Sequence, residues 1–356
     1  MKRTRLAVVG CGHLGAIHAR LLAARGDAEL VAVVDPVAES RERAAAAHGC
    51  RSLAEPRDLV GLVDAAVVAA PTGLHTSVSL PLLEAGIDLL VEKPIAAGVE
   101  EARAIVIAAR RHGRTVAVGH VERFNPAWQA AAAGLGDVTF VEAVRTAPFT
   151  FRSLDVGVIH DLMIHDIDLV LSLDPGRLER VEARGITATG GFEDAARARL
   201  VFSSGLVADL TASRISPLAR RTVSVWAAKA IVHCDLTAKT VETIRPSAGV
   251  RSGTFSAAAV PAAERMALKE TFFRDVLPLE TVTVADANAI AAEHDDFLAA
   301  IRDQRAPLVS AAAGAAAVEI AARVIDALEC MRFGRDRRGG AASASTTPTI
   351  PHRKAG

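Results

Sequence analysis

The residues whose types and spacing could do chemistry sit in four short stretches. Gly10-Cys11-Gly12-His13-Leu14-Gly15 fits the spacing G-x-G-x-x-G. It follows an apolar run at residues 6–9 and opens a helical stretch, so its backbone N–H groups and the helix N-terminus can meet a pyrophosphate. Gly10 permits the tight turn, Gly12 lets phosphates approach and Gly15 lets helix and strand pack closely. His13 and Leu14, inside the turn, are expected at the same ligand. Asp35 lies twenty positions after Gly15, at the end of a second apolar run. A carboxylate there accepts hydrogen bonds from ribose hydroxyls and repels a 2′-phosphate, which favours NAD over NADP. Arg41 is available as a phosphate partner, and a flavin dinucleotide is the alternative in the same kind of fold.

Glu92-Lys93-Pro94 closes a third apolar run, residues 89–91. In an open parallel sheet ligands bind beyond the carboxyl ends of the strands, so Lys93 is aimed at the cofactor crevice and Glu92 belongs beside it. Burial there would lower the lysine's pKa and let it hydrogen-bond or exchange a proton with a substrate hydroxyl. The competing reading is a lysine that only pairs with a carboxylate at a domain edge. In His160-Asp161-Leu162-Met163-Ile164-His165-Asp166-Ile167-Asp168, Asp161, His165 and Asp168 stand at i, i+4 and i+7, on one face of a helix. A carboxylate one turn from an imidazole can hold its tautomer and raise its basicity; a solvated histidine on a polar face is the plainer reading. Pro71-Thr72-Gly73-Leu74-His75 forms another loop at the sheet's carboxyl edge, where Pro71, Thr72 and His75 could touch the dinucleotide.

The elements that must position these groups follow from periodicity. Strands are expected at 6–9, 30–34, 65–70, 89–92 and 115–119, alternating with helices at 16–25, 39–48, 77–85 and 99–112. Fully apolar strands alternating with helices imply a parallel, doubly wound sheet covered on both faces, an α/β Rossmann domain over residues 1–122. After that the pattern changes to strands at 138–146, 178–186, 196–202, 206–213, 222–227 and 230–235, with helices at 158–173, 286–302 and 310–331. That is an α+β signature, assigned to a second domain at 123–333. Residues 334–356, rich in Gly, Ala, Ser, Thr and Pro, read as a disordered tail.

Composition narrows the class of function. Basic and acidic residues number 41 each, so there is no net charge to draw the chain to nucleic acid or to an anionic membrane. No run approaches the ~20 apolar residues of a membrane span, and residues 6–9 are shorter than the roughly 7–15 of a signal-peptide core. The four cysteines, Cys11, Cys50, Cys234 and Cys330, are scattered and suggest neither a disulfide framework nor a metal site, which fits a reducing cytoplasm. Only six of the 41 basic residues are lysines, which makes the retention of Lys93 notable. There is no tyrosine, which excludes a Tyr–Lys acid–base pair.

Taken in order along residues 4–333, these stretches resemble the glucose–fructose oxidoreductase, inositol dehydrogenase and MocA (Gfo/Idh/MocA) family. The resemblance implies a Rossmann domain followed by an α+β domain with an open, mostly antiparallel sheet whose exposed face forms homodimers or homotetramers. It implies that Lys93 and His165 flank a reacting hydroxyl, with Asp161 orienting His165. Residues 119–126, Gly-His-Val-Glu-Arg-Phe-Asn-Pro, and 161–169 further resemble nucleotide-sugar dehydrogenases, among them UDP-N-acetylglucosamine 3-dehydrogenases, some of which supply lipid A. On that resemblance Lys93, Arg123, Asn125, Arg152, Asp161 and His165 are expected at the substrate. Arg214, Arg220 and Arg221 are further candidates for a diphosphate. A dehydrogenase of a free sugar, inositol or other polyol is the rival within the family. A non-catalytic NAD-binding regulator is the rival outside it.

Overall fold

The computed structural model describes residues 3–332 except Arg152 and Asp155, with the backbone alone for 330–332. The stretch read as a tail and the candidate ligand Arg152 lie outside the described residues.

Six strands form the first sheet: β1 (Thr4–Val9), β2 (Ala28–Val34), β3 (Arg51–Leu53), β4 (Ala65–Val68), β5 (Asp88–Glu92) and β6 (Val116–Gly119). All pairings are parallel, in the order β3-β2-β1-β4-β5-β6. This is the doubly wound order, and its switch point between β1 and β4 opens a crevice for a ligand. The crossovers are α1 (His13–Ala23), α2 (Ala38–His48), α3 (His75–Glu84) and α4 (Val99–His112). The central strands are apolar along their whole length because both faces are covered: β4 and β5 are buried at every residue.

A short helix, α5 (Pro126–Ala132), leads to β7 (Val138–Thr146), then to a π-turn at Ile159–Met163 that runs into α6 (Ile164–Leu171). There follow β8 (Leu178–Thr187), β9 (Ala195–Phe202), β10 (Val207–Ser213), β11 (Arg220–Ala227), β12 (Ile231–Asp235) and β13 (Thr240–Ile244). An excursion carries α7 (Ala248–Arg251) and α8 (Arg265–Asp275) before β14 (Leu279–Thr283), α9 (Ala289–Arg302), α10 (Ala311–Asp326) and β15 (Leu328–Arg332). The second sheet has nine strands in the order β14-β13-β12-β11-β7-β10-β9-β8-β15. It is mostly antiparallel; β7 with β10 and β8 with β15 are parallel.

Three departures from the periodicity have physical causes. The helix expected at 310–331 stops at Asp326, and residues 328–332 pair with β8, so sheet pairing overrides a helical apolar pattern. Strand β14 went unseen because all five of its residues are exposed at a sheet edge and carry no alternation. The helix expected at 158–173 opens with a π-turn.

α10 ties the two sheets together. It packs on α4 and β6 on one side and on α6 and β8 on the other. Gly314 permits this, since a Cβ there would meet Val118 Cγ2 at 2.7 Å. The Val118 N–H also donates to the Val309 carbonyl at 3.0 Å.

Beside this apolar core lies a buried ion cluster. Arg145 of β7, 3% exposed, donates to both oxygens of Asp166 on α6 (2.8–3.2 Å) and, through Nη1, to Glu122 at 2.7 Å. Three charges held by charge-assisted bonds fix α6 against the sheet, one residue after His165. Removing only the cation leaves Asp166 buried without a paired cation and Glu122 with only Asn125 and the more distant Arg221. Arg145→Met is therefore expected to lower unfolding free energy by about 3–5 kcal/mol, measured by urea denaturation; a loss under about 1 kcal/mol would show that the cluster behaves like a surface pair.

Candidate active site

The glycine turn after β1 is shaped by contact. Gly10 has φ +97°, and a Cβ on it would strike the Ala69 carbonyl at 2.6 Å. A Cβ on Gly15 would sit 1.7 Å from the Gly10 carbonyl oxygen. Gly12, in contrast, faces open space, with nothing within 4 Å of its would-be Cβ. The turn is thus closed toward the protein and open toward a ligand at the N-terminus of α1. Asp35, ending β2, accepts the N–H groups of Cys11 (2.8 Å) and Val37 (2.9 Å) and lines a crevice of about 630 Å³ beside this turn. Arg41 bends back to the Asp35 and Pro36 carbonyls (3.3 and 3.0 Å). An open Gly12, a free helix end and a carboxylate at the crevice fit a dinucleotide's diphosphate and ribose, and the carboxylate opposes a 2′-phosphate.

The crevice continues, past His13, Leu14, Pro71 and Ala69, into a cleft of about 730 Å³ between the two sheets. Lys93 enters it from the end of β5. Its ammonium, 15% exposed, donates to the Asp161 carbonyl at 2.7 Å and lies 3.6 Å from the Asp161 carboxylate. Burial lowers its pKa, opposed by the charges of Asp161 and Glu92. His165 and His160 reach the same cleft from the second sheet's side. Burial, then the charges of Lys93 and Arg145, hold the His165 imidazole well below the usual histidine range. Its Nδ1 is buried without a partner. Behind it stands His120, fully buried, edge-on to His165 with ring centroids 6.4 Å apart and neither ring nitrogen bonded. Burial and the charges of Lys93 and Arg123 bring His120 down to about 3. The cleft therefore pairs an ammonium that carries protons with an imidazole that is free to take one.

A family model described as the oxidoreductase family with an NAD-binding Rossmann fold matches residues 4–120, and the C-terminal-domain model of the same family matches residues 129–233. A UDP-N-acetylglucosamine 3-dehydrogenase of Acidithiobacillus ferrooxidans is 34% identical over 330 residues, 92% of this chain and 98% of that protein. The chain belongs to the Gfo/Idh/MocA oxidoreductase family. A solved structure of the Acidithiobacillus enzyme superposes with a TM-score of 0.80 at 33% identity, covering 92% of this chain and 98% of that one. The NAD-dependent scyllo-inositol 2-dehydrogenase of Bacillus subtilis is 29% identical over 234 residues, 60% of this chain and 68% of that protein. The chain is thus an NAD-binding oxidoreductase, with the α/β and mostly antiparallel sheets of its family.

Against the expected site residues, the structure gathers His13, Leu14, Pro71, Thr72, His75, Glu92, Lys93, Asp161 and His165 around one cleft and gives several of these and others different partners. Asp161 faces Lys93, and no side-chain hydrogen bond joins it to His165. The π-turn supplies the reason: its wider turn shifts the phase of everything before Ile164, by roughly 100° per extra residue. Asp168 points away, buried against Arg123 at 3.4 Å, and burial pushes its carboxyl up to about 7. Arg123 is thereby a partner of Asp168, not of the cleft. Asn125 is buried, caps α5 through the Ala127 N–H and donates to Glu122 and to the Leu236 carbonyl (3.0 Å each), so it has no face for substrate. His75 lines the same cleft but is buried, with its ring nitrogens 2.9 Å from the Pro94 and Ala70 carbonyls, a strut between two crevice loops. Glu92 spends one oxygen on His18 (2.8 Å) and the other on the Lys93 N–H (3.1 Å), so it holds the lysine turn.

Of the arginines, Arg220 and Arg221 leave opposite faces of β11, and Arg221 lines the cleft, 58% exposed and 3.9 Å from Glu122. Arg214 also lines the cleft but is committed to Asp194 and to the Ser153 and Val156 carbonyls. Sequence reasoning missed His18, His120, Arg145 and Glu293, whose partners are remote in the chain; isolated polar residues within apolar runs were the one available signal for the first three, and Glu293, in a polar Glu-His-Asp-Asp run, had none. Replacing Asp35 by Ser removes the carboxylate from the crevice. Its bonds to a ribose are worth about 1.5–3 kcal/mol each, so Asp35→Ser should weaken NAD binding at least about tenfold and weaken NADP binding less, by fluorescence titration of both. Equal losses would show that Asp35 does not discriminate between them.

Proposed function

We propose that this chain oxidises the C3 hydroxyl of UDP-N-acetylglucosamine, or a close UDP-N-acetyl-sugar, to the 3-keto sugar. The observation that carries it is the pairing of Lys93 with His165 at one cleft, in a chain similar over 92% of its length to a UDP-N-acetylglucosamine 3-dehydrogenase. Arg221 adds an exposed cation at the cleft suited to a diphosphate.

The Gly10–Gly15 turn, Asp35, Pro71 and Thr72 would hold NAD, which when bound would supply the hydride acceptor for the sugar carbon. Lys93 donates a hydrogen bond to the reacting hydroxyl and stabilises negative charge as it develops on oxygen. His165, kept neutral by burial and then by the surrounding cations, accepts the hydroxyl proton. General-base help of this kind contributes about 10²–10⁴-fold. Asp161 anchors Lys93 through its carbonyl and offsets the lysine's charge. The 3-keto product is a substrate for an aminotransferase, as in the supply of lipid A precursors, and a cytoplasmic homodimer or homotetramer built on the nine-stranded sheet fits the same function.

The test is NAD reduction followed by absorbance, with UDP-N-acetylglucosamine, free sugars and inositols, each with and without an aminotransferase that consumes 3-keto sugars. Reduction with the UDP-sugar is expected. Reduction with a free polyol alone would move the chain to the inositol dehydrogenases, and none at all would move it to the non-catalytic class. In the same assay His165 accepts a proton only when neutral. Because its pKa lies well below 6.5, the acid limb it imposes on kcat/KM should fall below that pH. A limb at or above 6.5 that Gln at position 165 abolishes would contradict this electrostatic picture.

A further inference from the structure

Behind Lys93, four titratable side chains meet with neither a lysine nor an arginine among them. His18 comes from α1, Glu92 from the end of β5, and Glu293 and His294 from α9. His18, Glu293 and His294 are each at least 98% buried. Hydrogen bonds run His294 Nε2 to His18 Nδ1 (2.8 Å), His18 Nε2 to Glu92 Oε1 (2.8 Å), and the Lys93 N–H to Glu92 Oε2 (3.1 Å). Glu293 is the anomaly. Neither of its oxygens has a hydrogen-bond partner, yet one lies within 4.8 Å of a His18 nitrogen and a Glu92 oxygen.

A buried carboxylate without a partner, beside a second carboxylate, is among the costliest arrangements a fold can hold. A carboxylic acid is not: it has a proton to donate, and Glu92 is the acceptor in reach. We propose that Glu293 is a positioning residue held as a neutral carboxylic acid, sharing its proton with Glu92 directly or through one bound water, so that a single anion, Glu92, is fixed under the Lys93 turn. The donors then run consistently. His294 gives its Nε2 proton to His18, His18 gives its Nε2 proton to Glu92, and Glu293 supplies the remaining one. Burial, followed by the charges of Glu92 and Asp296, holds the Glu293 carboxyl well above the usual carboxylate range. Burial, with His18 and Arg25, brings His294 down to about 3, which leaves its unbonded Nδ1 without a proton and so without a donor to satisfy.

The arrangement connects the helix whose N-terminus faces the dinucleotide (α1, through His18) with the strand end that carries Lys93 (through Glu92) and with α9. Gly119 on the neighbouring strand allows it, since a Cβ there would lie 2.9 Å from Glu92 Oε2. The proposal rests on the catalytic role given to Lys93, but the protonation state of Glu293 does not, and the two are tested separately.

Infrared difference spectra of wild type minus Glu293→Gln at neutral pH should show a carboxylic-acid carbonyl band. Wild-type protein labelled with ¹³C-glutamate should shift that band to lower frequency, a measurement that needs no variant to fold. In kinetics, Glu293→Ala should lower kcat by on the order of 10- to 100-fold, the effect of displacing a reacting group, with little change in NAD affinity; Gln, which keeps a donor in place, should restore most of kcat. Absence of the band in both experiments, or a stoichiometric divalent ion in elemental analysis of the purified protein, would overturn the neutral acid. A band without any effect of Ala on kcat would overturn the positioning role while leaving the assignment of Lys93 untouched.

Discussion

The structure turns on an ammonium ion brought out of water at the seam between two sheets. Lys93 ends a strand of the first sheet, yet its nearest partners, the carbonyl and carboxylate of Asp161, belong to the π-turn that packs on the second. Desolvating an isolated ammonium costs several kcal/mol. The charge is tolerated because Asp161 meets it from across the cleft and Glu92 approaches from its own strand. Each half of the molecule supplies what the other half's functional group lacks, and α10 packs against both sheets.

The same cation organises the histidines. Lys93 lowers His120, His160 and His165 alike, with burial the larger cause in each. Arg145 adds to this at His165 while its own charge is absorbed by Asp166 and Glu122. A buried ion cluster is weak evidence for stability in general. Its use here is directional: it fixes α6, one residue after His165, so that the imidazole lines the cleft.

The chemistry was more legible than the geometry. Local rules sufficed for the glycine turn, because Gly10 and Gly15 answer to contacts within one β–α unit, and for Lys93, because strand ends point at the crevice. The alternation of apolar strands and helices was enough for the first sheet. Reasoning failed wherever a residue's role depended on chain-distant partners. Asn125 and Arg123 have the polar chemistry of ligands, but Leu236 and Asp168 had already claimed them. The helical spacing of Asp161 and His165 suggested a pair, and the π-turn between them separated it. Glu293 carried no local signal, since its significance comes from Glu92, some two hundred residues earlier in the chain.

The central claim is that Lys93 acts on the reacting hydroxyl and does not merely hold the domains together. The most direct test is to follow deuterium from UDP-N-acetylglucosamine labelled at C3 into the reduced nicotinamide, comparing wild type with Lys93→Met under conditions where both bind NAD. Label should transfer in the wild type and fall by at least about a hundredfold in the variant, with NAD affinity and melting temperature close to wild type. Transfer at an undiminished rate without the ammonium would contradict the account.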